Sequence, residues 1–116
     1  MINREYCYLY LTCENTVQAS RIVDALLANR LIVCAKQTSV DSNYVWKTKV
    51  EHNQETLLVM ESALDLFDEV EKVVAKIHSY EVFVLEAIPI AKVSKLAAKW
   101  MKDNLEPGES ADNDKK

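Results

Sequence analysis

Glycine and proline are scarce in this sequence of 116 residues, which holds one glycine, Gly108, and two prolines. Glycine-rich phosphate loops need several glycines inside a domain, so this scarcity excludes an ordinary Rossmann or P-loop enzyme. The sequence also lacks a run of about 18 apolar residues that could span a membrane. Its first residues lack the pattern of a cleavable export signal. We therefore expect a protein that has no membrane partner.

A basic surface is missing too, because the 14 Lys and Arg residues are outnumbered by 18 Asp and Glu residues. This balance is unlike that of nucleic-acid-binding proteins, so we expect no nucleic acid as a partner. The three cysteines form no Cys-x-x-Cys pair, which excludes a zinc ribbon, and their odd number argues against a disulfide scaffold. Reduced thiols in a cytoplasmic protein are the simplest interpretation.

Residues 6–13 alternate strictly between two sets of side chains, which predicts a β-strand. One set is rich in tyrosine and contains Tyr6, Tyr8 and Tyr10. The rest of the chain predicts three more strands and three helices. These are a helix capped by Asn15, a strand at 31–35 followed by an extended or hairpin segment at 36–53, a strand at 55–61, a helix capped by Ser62, a strand at 82–90 and a helix at 94–105.

The resulting order, β-α-β-β-α-β with an additional C-terminal helix, matches the ferredoxin-like motif with an antiparallel sheet, an α+β fold. We expect one domain at 1–105 and a disordered tail at 106–116. Right-handed crossovers place the first and third strands in the middle of the sheet. The first two helices cover one face, and the tyrosine face stays open. Because exposed apolar faces usually mark partner surfaces, we expect oligomerisation to bury Tyr6, Tyr8 and Tyr10.

Several short motifs stand in a fixed order along the chain. They are Leu11-Thr12-Cys13, Leu31 with Cys34, Tyr44-Val45-Trp46, Lys49-Val50-Glu51, His78-Ser79-Tyr80-Glu81-Val82-Phe83, Ile88-Pro89-Ile90 and Trp100. Together they resemble the motifs of the CutA family, the divalent-cation tolerance proteins, across residues 6–103. The chain departs from the family pattern where Ser79 and Phe83 replace prolines and Val84 replaces a glutamate.

The resemblance implies a homotrimer whose sheets face inward, similar to the trimers of the PII signalling proteins. It also implies that the long hairpin reaches a neighbouring subunit and that Trp46 joins the three tyrosines in the interface. Family members are linked to tolerance and binding of copper and other divalent ions. We therefore expect copper or another divalent cation as a weakly bound ligand, and no organic cofactor.

Metal coordination is one chemistry that these residues offer. Copper favours thiolate and imidazole ligands, which makes Cys34 and His78 the candidate metal residues. Cys7 and Cys13 lie about 20 Å apart on one predicted strand, so they cannot share an ion or form a disulfide. No His or Cys pair has helical i,i+3 or i,i+4 spacing. Any metal site must therefore be assembled through tertiary or trimer contacts.

A second candidate is a ligand cleft between subunits. Its predicted residues are Lys36, Tyr44, Trp46, Lys49, Glu51, His78, Tyr80 and Glu81. Each also has a structural interpretation: His78 suits a helix C-terminus, aromatic residues often anchor interfaces, and the lysines suit a solvated face that pairs with Glu51 or Glu55 of another chain.

The sequence is compatible with three functions. The first is a cytoplasmic divalent-ion tolerance protein that binds copper or a related ion weakly. The second is a PII-like ligand-sensing or scaffold trimer in which Lys36, Lys47 and Lys49 bind a small anion. The third is an enzyme that uses His78, Tyr80 and Glu81. Because no catalytic motif surrounds those residues, we expect no enzymatic activity and assign no catalytic residue.

Overall fold

Four strands and three helices make up residues 4–108, the part of the chain that the computed structural model describes. In chain order they are β1 (Tyr6–Cys13), α1 (Thr16–Ala28), β2 (Cys34–Trp46), β3 (Lys49–Ala63), α2 (Phe67–Ile77), β4 (Leu85–Pro89) and α3 (Lys95–Asn104). This is the α+β order predicted from the sequence. None of the helices within residues 4–108 combines the length and the apolar character that crossing a membrane requires.

The sheet has the strand order β2-β3-β1-β4, and every neighbouring pair is antiparallel. The prediction that the first and third strands occupy the middle is therefore confirmed. Tyr8 stands opposite Glu61 on one side and Ile88 on the other. Because residues directly opposite each other point to the same face, this register fixes the composition of both faces.

The strict alternation of β1 separates the core from the open surface, as predicted. Cys7, Leu9, Leu11 and Cys13 are buried on the face that the helices cover. On the other face Tyr8 and Tyr10 remain 39% and 37% exposed. The helices contribute their own buried apolar side chains, which are Ala19, Ile22, Leu26, Val70, Val74 and Met101. Burying each large aliphatic side chain contributes about 1.5–3 kcal/mol, so this one-sided core holds the helices on the sheet.

Helix α1 begins as predicted, with the side chain of Asn15 accepting a hydrogen bond from the backbone amide of Gln18 at 2.9 Å. The end of α1 explains why the second strand begins later than predicted. Arg30 adopts a left-handed backbone conformation with φ 57°, and the amide of Leu31 still donates to the carbonyl of Leu26. Leu31 therefore belongs to the hydrogen-bonded turn that closes the end of α1, and β2 starts at Cys34 rather than at residue 31.

The prediction that Ser62 caps the second helix is wrong. Ser62 lies inside β3, fully buried, and its hydroxyl donates to the carbonyl of Leu31 at 2.6 Å. Strand β3 continues to Ala63 because it pairs with Tyr6 of β1. Helix α2 starts only at Phe67, after a 3-10 turn at Leu64–Leu66.

The fourth strand is shorter than predicted, since β4 spans Leu85–Pro89 rather than residues 82–90. Val82 and Val84 precede it and are 60% and 53% exposed. Pro89 is tolerated near the strand end because β4 is an edge of the sheet.

Strands β2 and β3 form one long hairpin, so the hairpin interpretation of segment 36–53 is confirmed. They pair without interruption from Cys34 opposite Glu61 to Trp46 opposite Lys49. The two residues between the strands, Lys47 and Thr48, both have positive φ, as a type I′ turn requires. Glycine and asparagine usually fill such turns, and other residues cost roughly 1–2 kcal/mol each. We call the outer part, residues 41–54, the hairpin arm; its side chains are mostly exposed.

Beyond α3 the chain still contacts the domain. The amide of Glu106 donates to the carbonyl of Arg30 at 2.9 Å, and the Arg4 guanidinium donates to the carbonyl of Glu106 at 2.6 Å. These bonds join both ends of the described chain to the turn after α1. Residues 109–116, the rest of the predicted tail, lie outside the described residues.

Candidate functional site on the open sheet face

The strand register places most of the predicted site residues on the open face, the side of the sheet opposite the helices. On β2 these residues have even numbers and on β3 odd numbers, because the two strands are joined by a two-residue turn. The predicted residues that share this face are Tyr6, Tyr8, Tyr10, Cys34, Lys36, Tyr44, Trp46, Lys49 and Glu51. They form one surface, but they are spread along its whole length.

One corner of the open face is built around Cys34, which is partly buried. The Lys36 ammonium lies 3.6 Å from the Cys34 sulfur and 3.7 Å from a Glu61 carboxylate oxygen. The thiol of Cys34, followed by the Glu61 carboxylate, raises the pKa of Lys36 above its ordinary value. Lys36 therefore stays cationic next to a thiol that solvent can reach.

A second corner is formed by the loop after α2. The Nε2 atom of His78 donates to the carbonyl of Thr12 at 2.8 Å, and its Nδ1 atom accepts from the amide of Tyr80 at 3.1 Å. This pattern assigns the ring hydrogen to Nε2. The ring also stacks against Phe83 with centroids 5.4 Å apart. Both nitrogens of His78 are thus engaged, so a metal would have to displace one of these hydrogen bonds.

The same loop brings Tyr80 onto Glu55, a contact that the sequence did not predict. The Tyr80 hydroxyl donates to a Glu55 carboxylate oxygen at 2.6 Å. Glu55 is only 7% exposed, although its position on β3 belongs to the open face. Burial first, and then the Glu55 carboxylate, raise the pKa of Tyr80. Tyr80 therefore keeps its proton and serves as a hydrogen-bond donor.

Ser79, which departs from the family pattern, joins the loop to the start of α1. Its hydroxyl accepts from the Gln18 amide at 2.8 Å and donates to the Glu14 carboxylate at 3.2 Å. The Gln18 side chain in turn accepts from the backbone amide of Glu14. The loop is therefore held by polar bonds where proline would offer none. Glu81, the remaining predicted residue, is exposed.

The two predicted metal residues do not meet within one chain. Cys34 stands opposite Glu61, which in turn stands opposite Tyr8 of β1. His78 instead bonds to Thr12 of β1. Tyr8 and Thr12 are four positions apart on that strand, which corresponds to about 13 Å. Within residues 4–108 no group of three or more His, Cys, Asp or Glu side chains could hold a metal ion. A metal site that uses these residues would need more than one copy of the chain.

The thiols give a direct check of this arrangement. Burial raises the pKa values of both Cys7 and Cys13 from 9.0 to about 11, with smaller contributions from Asp65 and Glu55 respectively. At pH 8 we expect a maleimide to label Cys34 alone in the native protein and all three thiols in guanidinium. Mass spectrometry of the labelled peptides measures this. Labelling of Cys7 before unfolding would contradict the predicted burial.

The same pKa values set the sign of the pH dependence of the free energy of unfolding. The two thiols ionise near pH 9 in the unfolded chain and near pH 11 in the folded one. Their contribution to the free energy of unfolding is therefore complete below pH 9 and falls as the pH rises towards 11. Urea titrations across that range measure the fall, and Cys7→Ala should reduce its slope.

Comparison with known proteins places this geometry in a family. The model of the family described as "CutA1 divalent ion tolerance protein" matches residues 7–104. The divalent-cation tolerance protein CutA of Pyrococcus horikoshii is 28% identical over 93 residues, which cover 80% of this chain and 91% of that protein.

Two solved structures show the same fold. The structure of the periplasmic divalent cation tolerance protein CutA from Archaeoglobus fulgidus has a TM-score of 0.85 and 28% identity, covering 87% of this chain and 99% of that one. The structure of CutA1 from the psychrotrophic bacterium Shewanella sp. SIB1 has a TM-score of 0.85 and 26% identity, covering 91% of this chain and 100% of that one.

Proposed function

The chain belongs to the CutA1 divalent ion tolerance protein family, and from that premise we propose that it supports divalent-cation tolerance as a homotrimer. The open sheet face is the observation that supports the proposed homotrimer. Tyr8, Tyr10 and Ile88 leave much of their apolar surface exposed there, beside one another in the register. Isolated domains rarely leave such a face uncovered. Packing the open faces of three copies against each other would bury it.

We propose further that the trimer binds copper or another divalent cation weakly, through Cys34. Cys34 is the one thiol of the three that solvent reaches, and thiolates suit copper. His78 would join only by giving up a hydrogen bond, and a thiol held next to a cationic lysine is a poor site for a second cation. Both features favour weak binding. The protein would act in the cytoplasm, without a catalytic step and without an organic cofactor.

Native mass spectrometry tests this proposal, first on the metal-free protein and then after stoichiometric copper and desalting. We expect a trimer that retains up to three copper ions. The matched variant Cys34→Ser should remain trimeric and lose the copper. A monomer would contradict the assembly. A trimer that retains no copper, or that retains it equally in Cys34→Ser, would contradict the metal site.

A PII-like trimer that senses a small anion is the second candidate. It is favoured by the exposed ammonium groups of Lys36 and of Lys47, which lies 5.8 Å from the ring centroid of Trp46. A small-anion panel followed by calorimetry tests it, since binding should be lost in Lys36→Ala if this function is correct.

A further inference from the structure

Glu55 is a carboxylate that is removed from water, and no cation among residues 4–108 forms an ion pair with it. Within residues 4–108 the ion pairs are Arg4–Asp65, Lys36–Glu61, Lys72–Glu69 and Lys99–Asp103. Glu55 takes part in none of them, although it is only 7% exposed. Buried carboxylates are normally paired with a cation, because burial without one is costly. The Tyr80 hydroxyl supplies one hydrogen bond to Glu55 and no charge.

Lys49 is the best candidate for the missing cation. It is exposed, and it lies on the open face at the start of β3, on the same face as Glu55. Lys36 already contacts Cys34 and Glu61. Lys47 belongs to the turn and lies above Trp46. Lys49 is thus a lysine within an open-face strand that has no anionic contact among residues 4–108.

Lys49 cannot reach the Glu55 of its own chain. Glu55 is six positions after Lys49 on one continuous strand, which corresponds to about 20 Å. A lysine side chain is far shorter than this. The side chains of the hairpin arm that carries Lys49 are nevertheless mostly exposed, in a molecule that measures 51 Å along its longest axis and 27 Å across. The arm can therefore present its lysine to a second copy.

We propose that Lys49 of one copy binds between Glu55 and Tyr80 of the next copy, so that each arm completes a site on its neighbour. This proposal rests on the proposed homotrimer and names the groups that meet in the cleft between two of its subunits. One chain supplies a carboxylate and a phenol, and the other supplies an ammonium group. His78 holds the backbone of Tyr80 in place through its Nδ1 atom, which makes it a positioning residue.

Zero-length carbodiimide cross-linking of the native protein tests the contact. We expect an amide bond between Lys49 and Glu55, found by peptide mapping, and cross-linked chains in a denaturing gel. Any such bond joins two copies, because the residues are too far apart within one chain. Lys49→Arg keeps the charge but cannot form the amide, so it should remain trimeric and lose this cross-link. A trimer in which Lys49 links elsewhere would overturn the proposal.

A charge exchange provides the energetic test. Lys49→Glu and Glu55→Lys should each raise the concentration at which half of the trimer dissociates, by about tenfold or more. The double variant should recover most of that loss. Lys76→Glu, which makes the same charge change at an exposed position of α2 away from the open face, is the matched control and should change it little. Because Lys49 is exposed, Lys49→Glu reports on the contact even if Glu55→Lys fails to fold.

The outcomes separate this proposal from the assembly on which it depends. A trimeric wild type in which Lys49→Glu behaves like Lys76→Glu overturns the lysine contact and leaves the trimer standing. A wild type that is monomeric by sedimentation overturns the assembly itself. Additivity of the two single variants, with no recovery in the double variant, would also count against the contact.

Discussion

Tyr8→Glu is expected to convert the proposed trimer into monomers at micromolar concentration. The new carboxylate would stand directly opposite Glu61 on the open face, in the row that also holds Ile88. Like charges directly opposite each other are unfavourable. Burying an unpaired charge in an interface costs about 3–5 kcal/mol, a penalty that would arise in every copy of a symmetric assembly. Sedimentation velocity measures the outcome.

The fold of the single chain should survive this change, because Tyr8 is 39% exposed before assembly. Circular dichroism checks that point. The matched control is Leu27→Glu, which also places a carboxylate on an exposed apolar residue, 42% exposed, but on α1 away from the open face. It should leave the trimer intact. If Tyr8→Glu sedimented like the wild type, the open face would not be the interface.

Leu9→Ala is expected to lower the free energy of unfolding by about 2–5 kcal/mol. Leu9 lies in the middle of β1, fully buried, opposite Met60 on one side and Ala87 on the other. Central strands cannot relax easily, so truncation leaves a cavity beneath the helices. Domains of this size are typically stable by only about 5–15 kcal/mol, so the loss would be a large fraction of the total.

Urea titration compares this variant with Leu96→Ala at one protein concentration. Leu96 is 83% exposed on α3, so its truncation should change the free energy of unfolding by less than about 0.5 kcal/mol. The pair separates burial from residue type, since both substitutions remove the same atoms. Equal effects at the two positions would contradict the assignment of the core to this face of the sheet.

Local patterns predicted the parts of the fold that depend on local physics. The alternation of β1 identified its two faces correctly, because period-two patterns follow directly from strand geometry. The prediction that Ser62 caps a helix was wrong, because a serine before a helical pattern resembles a cap. In the structure the pairing of Ala63 with Tyr6 extends β3 past Ser62. Strand pairing between distant segments overrides such a local preference. The polar residues of the arm carry no period that marks their pairing.

In the candidate site, too, the features set by local patterns could be predicted and the contacts between distant segments could not. Once β2 and β3 are joined by a two-residue turn, the even numbers of Cys34 and Lys36 and the odd number of Lys49 place all three on one face. The burial of Glu55 could not be predicted, since it depends on a loop that returns Tyr80 from a position 25 residues away. Nor does any local pattern show that both nitrogens of His78 are occupied.

The distance between the arm and Glu55 has a consequence for how copies assemble. A contact between two different patches of the same chain is directional, and it must either close into a ring or continue without end. In the proposed trimer, two copies joined in this way would leave one arm and one carboxylate unused, and the third copy would engage both at once. It gains two contacts for a single loss of translational freedom. Dimers should therefore be scarce, and an altered bend of the arm would turn closed rings into open filaments.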